Sequence, residues 1–307
     1  MELTLKEMQI LANYLKGNDY SIFADLPKIK GEGTIESLQS KGVLEGDQLT
    51  KGARNLFETL ANPEIVAKFH LNQLEVNMRK RTYRCGTQSV LVEFHREMVI
   101  LSPFDTEVES VRVEIANHTG VSFQKHSQLK QVLSGDELLT LMGLADWLRR
   151  VALSELINQA APKKLEIKDL EAFMEQPLKL GLLAQTIDMT HLKAPRGEAL
   201  QKALSGLLEK RLVEAYQPQI VIDKSTILLA INFLVPNMTT SLELYDLTDP
   251  KRVLTAREMI VQASPKDALS YSASTAGFAV ESLTGGQVTE RILAYLSCPS
   301  LNTKLQN

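Results

Sequence analysis

Few residue groupings in this 307-residue sequence have the spacing that chemistry demands. The five histidines, His70, His95, His118, His126 and His191, never stand four apart, and no HExxH occurs, so no zinc site is spelled out. Cys85 and Cys298 are the only cysteines, and they offer neither a ligand pair nor a disulfide framework. The serine-nucleophile, P-loop and dinucleotide fingerprints are absent. Gly285-Gly286 would hold an anion if it opened a helix, but no strand-loop-lysine context precedes it and it reads as a turn.

Three groupings come nearer to chemistry. Asp105, Glu107 and Glu109 alternate after Pro103; carboxylates so placed bind cations or move protons, and otherwise form the solvated face of a strand. Arg79-Lys80-Arg81-Thr82-Tyr83-Arg84 would contact phosphate or an acidic partner, or would guard an edge strand against unwanted pairing. Cys85, beside that run, is expected to have a lowered pKa if exposed, but no oriented base accompanies it. His118 and His126 flank Gly120-Val121 and read as solvated, and Trp147 reads as core. The expectation is a chain with no catalytic residue, no cofactor, no metal and no evident small-molecule ligand.

The elements that would carry these residues follow from periodicity. Leu5, Met8, Leu11, Ala12 and Leu15 make one apolar helical face, opened by the capping pair Thr4 and Glu7. A helix near Ile35–Ser40, a hairpin about Gly46-Asp47 and a helix from Thr50 to Asn62-Pro63 follow, the order of a winged-helix-like segment. Short strands are expected at Val90–Phe94, Met98–Leu101 and Val111–Ile115, then a long helix from Ser134 to Ile157 and a linker at Ala160–Lys164. Beyond it the order starts again. Leu165–Leu170 resembles Leu3–Met8, and Gly206–Glu214 resembles Ser37–Glu45. Strands are expected at Gln219–Ile222, Ile227–Val235, Ser241–Tyr245 and Glu258–Gln262, and a last helix at Gly286–Leu296. The Ser/Ala-rich stretch Ser264–Gly277 reads as mobile or ordered by a partner. The fold expected is α+β, a central antiparallel sheet with flanking helical lobes. It is internally duplicated about a pseudo-two-fold, with halves 1–160 and 161–307 forming one two-lobed unit and a winged-helix-like segment opening each half.

Composition narrows function further. Lys+Arg number 34 against 37 Asp+Glu, a net charge of −3, which argues against a nucleic-acid binder. The amino terminus lacks signal-peptide features, and the longest apolar run, Ile227–Val235, is too short to span a bilayer, so a cytoplasmic chain without membrane insertion is expected.

The order of parts resembles the cytosolic chaperones of type VII secretion, of the EspG type. The segments that carry the resemblance are Leu3-Thr4-Leu5-Lys6-Glu7, Leu38-Gln39-Ser40-Lys41-Gly42-Val43-Leu44 and Leu60-Ala61-Asn62-Pro63, followed by a strand meander. Asp246-Leu247-Thr248 echoes a family strand, although no Gly-Arg follows. The resemblance implies a central antiparallel sheet between helical lobes. It implies a protein partner, a helical, aggregation-prone secretion substrate kept soluble until export, and it assigns no binding residue. Residue by residue, the expected docking site is a hairpin around Ile231–Leu244, with Phe233, Val235, Met238 and Leu242 on or beside its tip; otherwise the tip folds back on the helix Val288–Leu296 and buries these residues. The alternative is a winged-helix transcriptional regulator binding DNA through Leu3–Pro63 and the basic run.

Overall fold

Local capping chemistry sets where the first elements begin. The computed structural model describes residues 1–26, 34–122, 124–157, 164–179 and 181–301. Strand β1 (Glu2–Thr4) leads into helix α1 (Leu5–Leu11), where the Thr4 hydroxyl accepts the Glu7 amide at 3.1 Å and the Glu7 carboxylate accepts the Thr4 amide at 2.6 Å. Helix α2 (Ile35–Ser40) is capped by Thr34, and Gly42, at φ +69°, turns the chain into the hairpin β2 (Leu44–Glu45) and β3 (Gln48–Leu49). Helix α3 (Lys51–Ala61) is capped by Thr50 and ends at Asn62. These helices bury Met8, Leu11, Leu38, Phe57 and Leu60 against Val66, Tyr83, Val90, Val92 and Leu101. Those residues lie on β4 (Ile65–Gln73), β5 (Val76–Cys85), β6 (Gln88–Phe94) and β7 (Met98–Pro103), paired antiparallel in sequence with β1 on β7.

Helix α4 (Phe104–Thr119) stands where a strand was expected, and it carries Asp105, Glu107 and Glu109. Val111, Val113 and Ile115 fit a strand by alternation. Val111 and Ile115 also sit four apart, and those two are buried while Val113 is exposed, so the helical period prevailed.

The chain continues through β8 (Lys130–Leu133), α5 (Gly135–Leu156), α6 (Ile167–Glu175), α7 (Leu182–Thr190), α8 (Glu198–Glu209) and the short pair β9 (Val213–Ala215) and β10 (Val221–Ile222). Then come α9 (Lys224–Asn232), β11 (Met238–Asp246), β12 (Leu254–Ser264), β13 (Asp267–Ser274), β14 (Gly277–Leu283) and α10 (Gly285–Leu296). Ser134 and Glu137 cap α5 reciprocally, as their spacing predicts. Helix α5 buries Leu138, Leu141, Leu144 and Ala145 in a core shared with α6 to α9 and with Val261, Leu269, Tyr271 and Val280 of the strands.

Two expectations fail here. Ser264–Gly277 is mostly strand β13, whose Ala268, Leu269, Ser270 and Tyr271 are buried; small residues suit a strand paired on both sides. The expected strand Ile227–Val235 is helix α9 and its exit. Of the expected linker, residues 160–163 lie outside the described residues.

The strands form a large sheet in the order β1-β7-β6-β5-β4-β11-β12-β13-β14-β8, giving an α+β fold. Contacts divide the chain into two compact units. The first comprises Met1–His118, Thr240–Arg257 and the chain from Thr289 on; the second comprises Thr119–Thr239 and Glu258–Val288. Each therefore draws on both sides of residue 160, and β12 passes from one to the other at Arg257/Glu258. The order helix, helix, hairpin, helix, four strands, helix runs from α1 to α4. It recurs, with α7 added, from α6 to α10.

Candidate docking surface

Helix α9 starts at Asp223, whose carboxylate accepts the Ser225 amide at 2.7 Å. Its buried residues, Thr226, Leu229, Ala230 and then Phe233, follow the i, i+3, i+4, i+7 stripe of a packed helix. The opposite side of such a helix is ordinarily polar. Here it carries Ile227, Leu228 and Ile231, the last 54% exposed, and Val235 just beyond is 68% exposed. The near-continuous apolar run arose because both sides of one helix are apolar, which alternation alone reads as a strand covered on both faces.

Helix α9 packs against α5. Arg149 of α5 donates to the Leu234 carbonyl from Nε at 3.2 Å and from Nη2 at 3.1 Å, which pins the exit of α9 to α5. One turn further along α5 come Leu153, Leu156 and Ile157, all exposed. Asp146, fully buried, pairs with Arg149 and accepts the Leu182 and Leu183 amides, each at 2.9 Å. One carboxylate thus ties the amino terminus of α7 and, through Arg149, the exit of α9 to α5. Gly181 permits this approach, since a Cβ there would lie 2.3 Å from Asp146 Oδ2.

The four residues expected to dock a partner are separated by this arrangement. No hairpin spans Ile231–Leu244, because the chain leaves α9 and enters β11. Phe233 is the buried carboxy-terminal cap of α9, and Met238 and Leu242 point into the core from β11. Val235 alone of the four presents its side chain to solvent. The sequence reading missed Ile227, Leu228 and Ile231, which a test of the run against the helical period would have found.

The other groupings resolve as follows. Strand β5 lies between β4 and β6, so Arg79–Arg84 guards no edge. Lys80, 1% exposed, is held by Glu93 at 2.6 Å and Glu114 at 2.7 Å. Cys85 has its thiol pKa raised, by burial first and then by the charges of Glu64 and Glu58, the reverse of the expectation. His126 meets Asp267 at 2.9 Å, His118 meets Gln73 at 3.3 Å and His70 meets Asn77 at 3.1 Å. Gly285 opens α10 rather than a plain turn, at a point where a Cβ would lie 2.2 Å from the Thr119 carbonyl oxygen. Among the described residues no three His, Cys, Asp or Glu side chains cluster as metal ligands, and no helix is long and apolar enough to cross a membrane.

An exposed apolar helix face on a chain of this architecture invites comparison with known folds. The chain has the fold of a type VII secretion chaperone. One matching solved structure is the Mycobacterium tuberculosis type VII secretion system chaperone EspG5 in complex with the PE25–PPE41 dimer. The match has a TM-score of 0.52 at 9% identity and covers 98% of this chain and 97% of EspG5. No family model matches the chain, and no curated protein matches it by sequence. The likeness is therefore one of fold. The DNA-binding alternative draws no support, and helix α2, IESLQS, has no cationic residue with which to grip phosphate.

Proposed function

We propose that the chain is a non-enzymatic cytoplasmic chaperone or adaptor that binds helical secretion substrates of a type VII-like system. The observation that carries this reading is the exposed apolar stripe Ile227, Leu228 and Ile231 on α9 with Val235 just beyond it, while Leu153, Leu156 and Ile157 at the end of α5, the helix packed on α9, are exposed too. Such a face suits an amphipathic helix or helical hairpin laid against it. EspG5, which shares the fold, was solved bound to a protein dimer, and that supports a protein partner here. The recurrence of element order from α1–α4 to α6–α10 is read as an internal duplication, each copy opening with a winged-helix-like segment that packs rather than reads DNA.

The test is co-purification from the native host with mass spectrometry of the bound chains, followed by titration of the recovered helical partner with the purified protein. Ile231→Glu should weaken that binding by about 1–3 kcal/mol, because a charge then faces an apolar partner surface. The melting temperature should stay within about 2 °C, since Ile231 leaves the core untouched. Recovery of no partner, or unchanged affinity in the variant, refutes the assignment.

A further inference from the structure

The basic run on β5 is separate from the apolar face of α9. Alternation along β5 parts its side chains, sending Lys80 to the buried face with its two glutamates and Arg79 and Arg81 to the other. Across the β4–β5 ladder Arg81 stands directly opposite Lys68, and Arg79 directly opposite His70. Like charges placed so are destabilising in a sheet, and Arg81 with Lys68 is such a pair, with Arg79 and His70 beside it on the same face. They line a recess of about 240 Å³ completed by Ser241 and Glu243 of β11.

The surroundings orient the cations. The Lys68 ammonium lies 5.5 Å from the centre of the Tyr245 ring, and the Arg81 guanidinium lies 4.7 Å from that of Phe94. Asn77 Oδ1 meets both His70 Nε2, at 3.1 Å, and Arg79 Nε, at 3.2 Å. Burial, and then the charge of Arg79, holds His70 below its ordinary range, so it remains neutral near pH 7. Glu243 accepts from the Tyr245 hydroxyl at 2.6 Å and faces Arg257 at 3.8 Å.

We infer that this recess binds the carboxylate side chains of an acidic segment in a protein partner. The inference rests on the reading of the chain as a protein-binding chaperone. Guanidinium forks match carboxylates in two-point geometry, and the Ser241 hydroxyl adds a donor. Glu243 within the recess and the chain's net charge of −3 disfavour a continuous phosphate backbone. A peptide spaces its charges with neutral residues and brings amides that Glu243 can accept.

The experiment uses the full chain and a fluorescently labelled 12-residue peptide of alternating Glu and Ser, read by anisotropy. A Gln-for-Glu counterpart, inorganic phosphate and a single-stranded oligonucleotide serve as competitors. The Glu peptide should bind saturably and weaken with salt, and only unlabelled Glu peptide should compete well. Arg79→Gln, at an exposed position, should weaken binding roughly fivefold, the equivalent of about 1 kcal/mol, with its melting curve unchanged. Lys68→Met gives a second, independent reading. Equal binding of the Glu and Gln peptides, indifference to both substitutions, or tighter binding of phosphate or the oligonucleotide overturns the inference. Because the peptide assay needs no native partner, its failure leaves the Ile231→Glu result standing, and the converse also holds.

Discussion

Removing the Asp146 carboxylate tests whether one buried charge holds the candidate docking face in place. In Asp146→Ala, the Leu182 and Leu183 amides lose their acceptor and the buried Arg149 guanidinium loses its counter-charge. Orphaned buried amides cost about 1–3 kcal/mol each. Breaking a buried ion pair by deleting one partner costs about 3–5 kcal/mol. The two terms overlap, because Arg149 keeps its bonds to the Leu234 carbonyl, so a net loss of about 4 kcal/mol is expected. At about 2–4 °C per kcal/mol for a chain of this size, the melting temperature should fall by roughly 8–16 °C. Asp146→Asn, which keeps acceptor oxygen but not charge, should recover about half of the loss. Urea unfolding followed by circular dichroism measures the free energy. Titration of the helical partner below the melting range measures the second consequence, weaker binding as the exit of α9 loosens. A loss under about 1 kcal/mol for Asp146→Ala would refute the reasoning, since it would mean that water or a rearranged neighbour satisfies those groups.

Gly181→Ala should act on the same joint, driving a methyl against Asp146 at a cost of about 1–3 kcal/mol; combined with Asp146→Ala its effect should shrink, which a double-mutant cycle detects. Burial pushes the Cys298 thiol up to about 12, while Cys85 is raised by burial and two carboxylates. Native protein treated with iodoacetamide should therefore take one slow label at Cys85, faster at higher pH, and label Cys298 only on unfolding. Burial alone would raise the pKa of Glu7, but bonds from Lys41, Ser37 and the Thr4 amide outweigh it and hold it below the ordinary 4.5. A depressed carboxylate stabilises the fold above its unfolded value and loses that contribution as pH falls through the folded one. Melting temperature should thus decline below about pH 4.5, and Glu7→Gln should flatten that decline.

Features encoded within a few residues were legible in the sequence. Thr4 with Glu7, Ser134 with Glu137, Gly46-Asp47 and the stripe of α10 all depend on spacing alone, and each element lies where that spacing puts it. Ambiguity arose where residues satisfied two periods at once. Val111, Val113 and Ile115 alternate, yet two of them are also four apart, and only packing on the sheet decides between the readings. The run Ile227–Val235 misled for a different reason: its outward residues are apolar, so the contrast that reveals a helix was missing. That missing contrast is itself the mark of the candidate site. Contacts across long stretches of chain left no trace in the sequence. Lys80 finds Glu114 from another element, and Arg149 finds a carbonyl 85 residues away. Burial of Phe233, Met238 and Leu242 was one of the two outcomes that the sequence left open, and Val235 took the other.

The interleaving of the two units has a consequence for synthesis. Strand β4 is made early, but its neighbour β11 follows only after residues 119–237, all of which serve the other unit. At ribosomal speeds of about 5–20 residues per second, those residues occupy ~6–24 s. Throughout that interval one edge of β4 presents an unpaired row of amides and carbonyls, with its own Ile65, Ala67 and Phe69 awaiting cover. The nascent chain carries an open sheet edge for far longer than a hairpin takes to close. During its own birth, the molecule is in the position of a client.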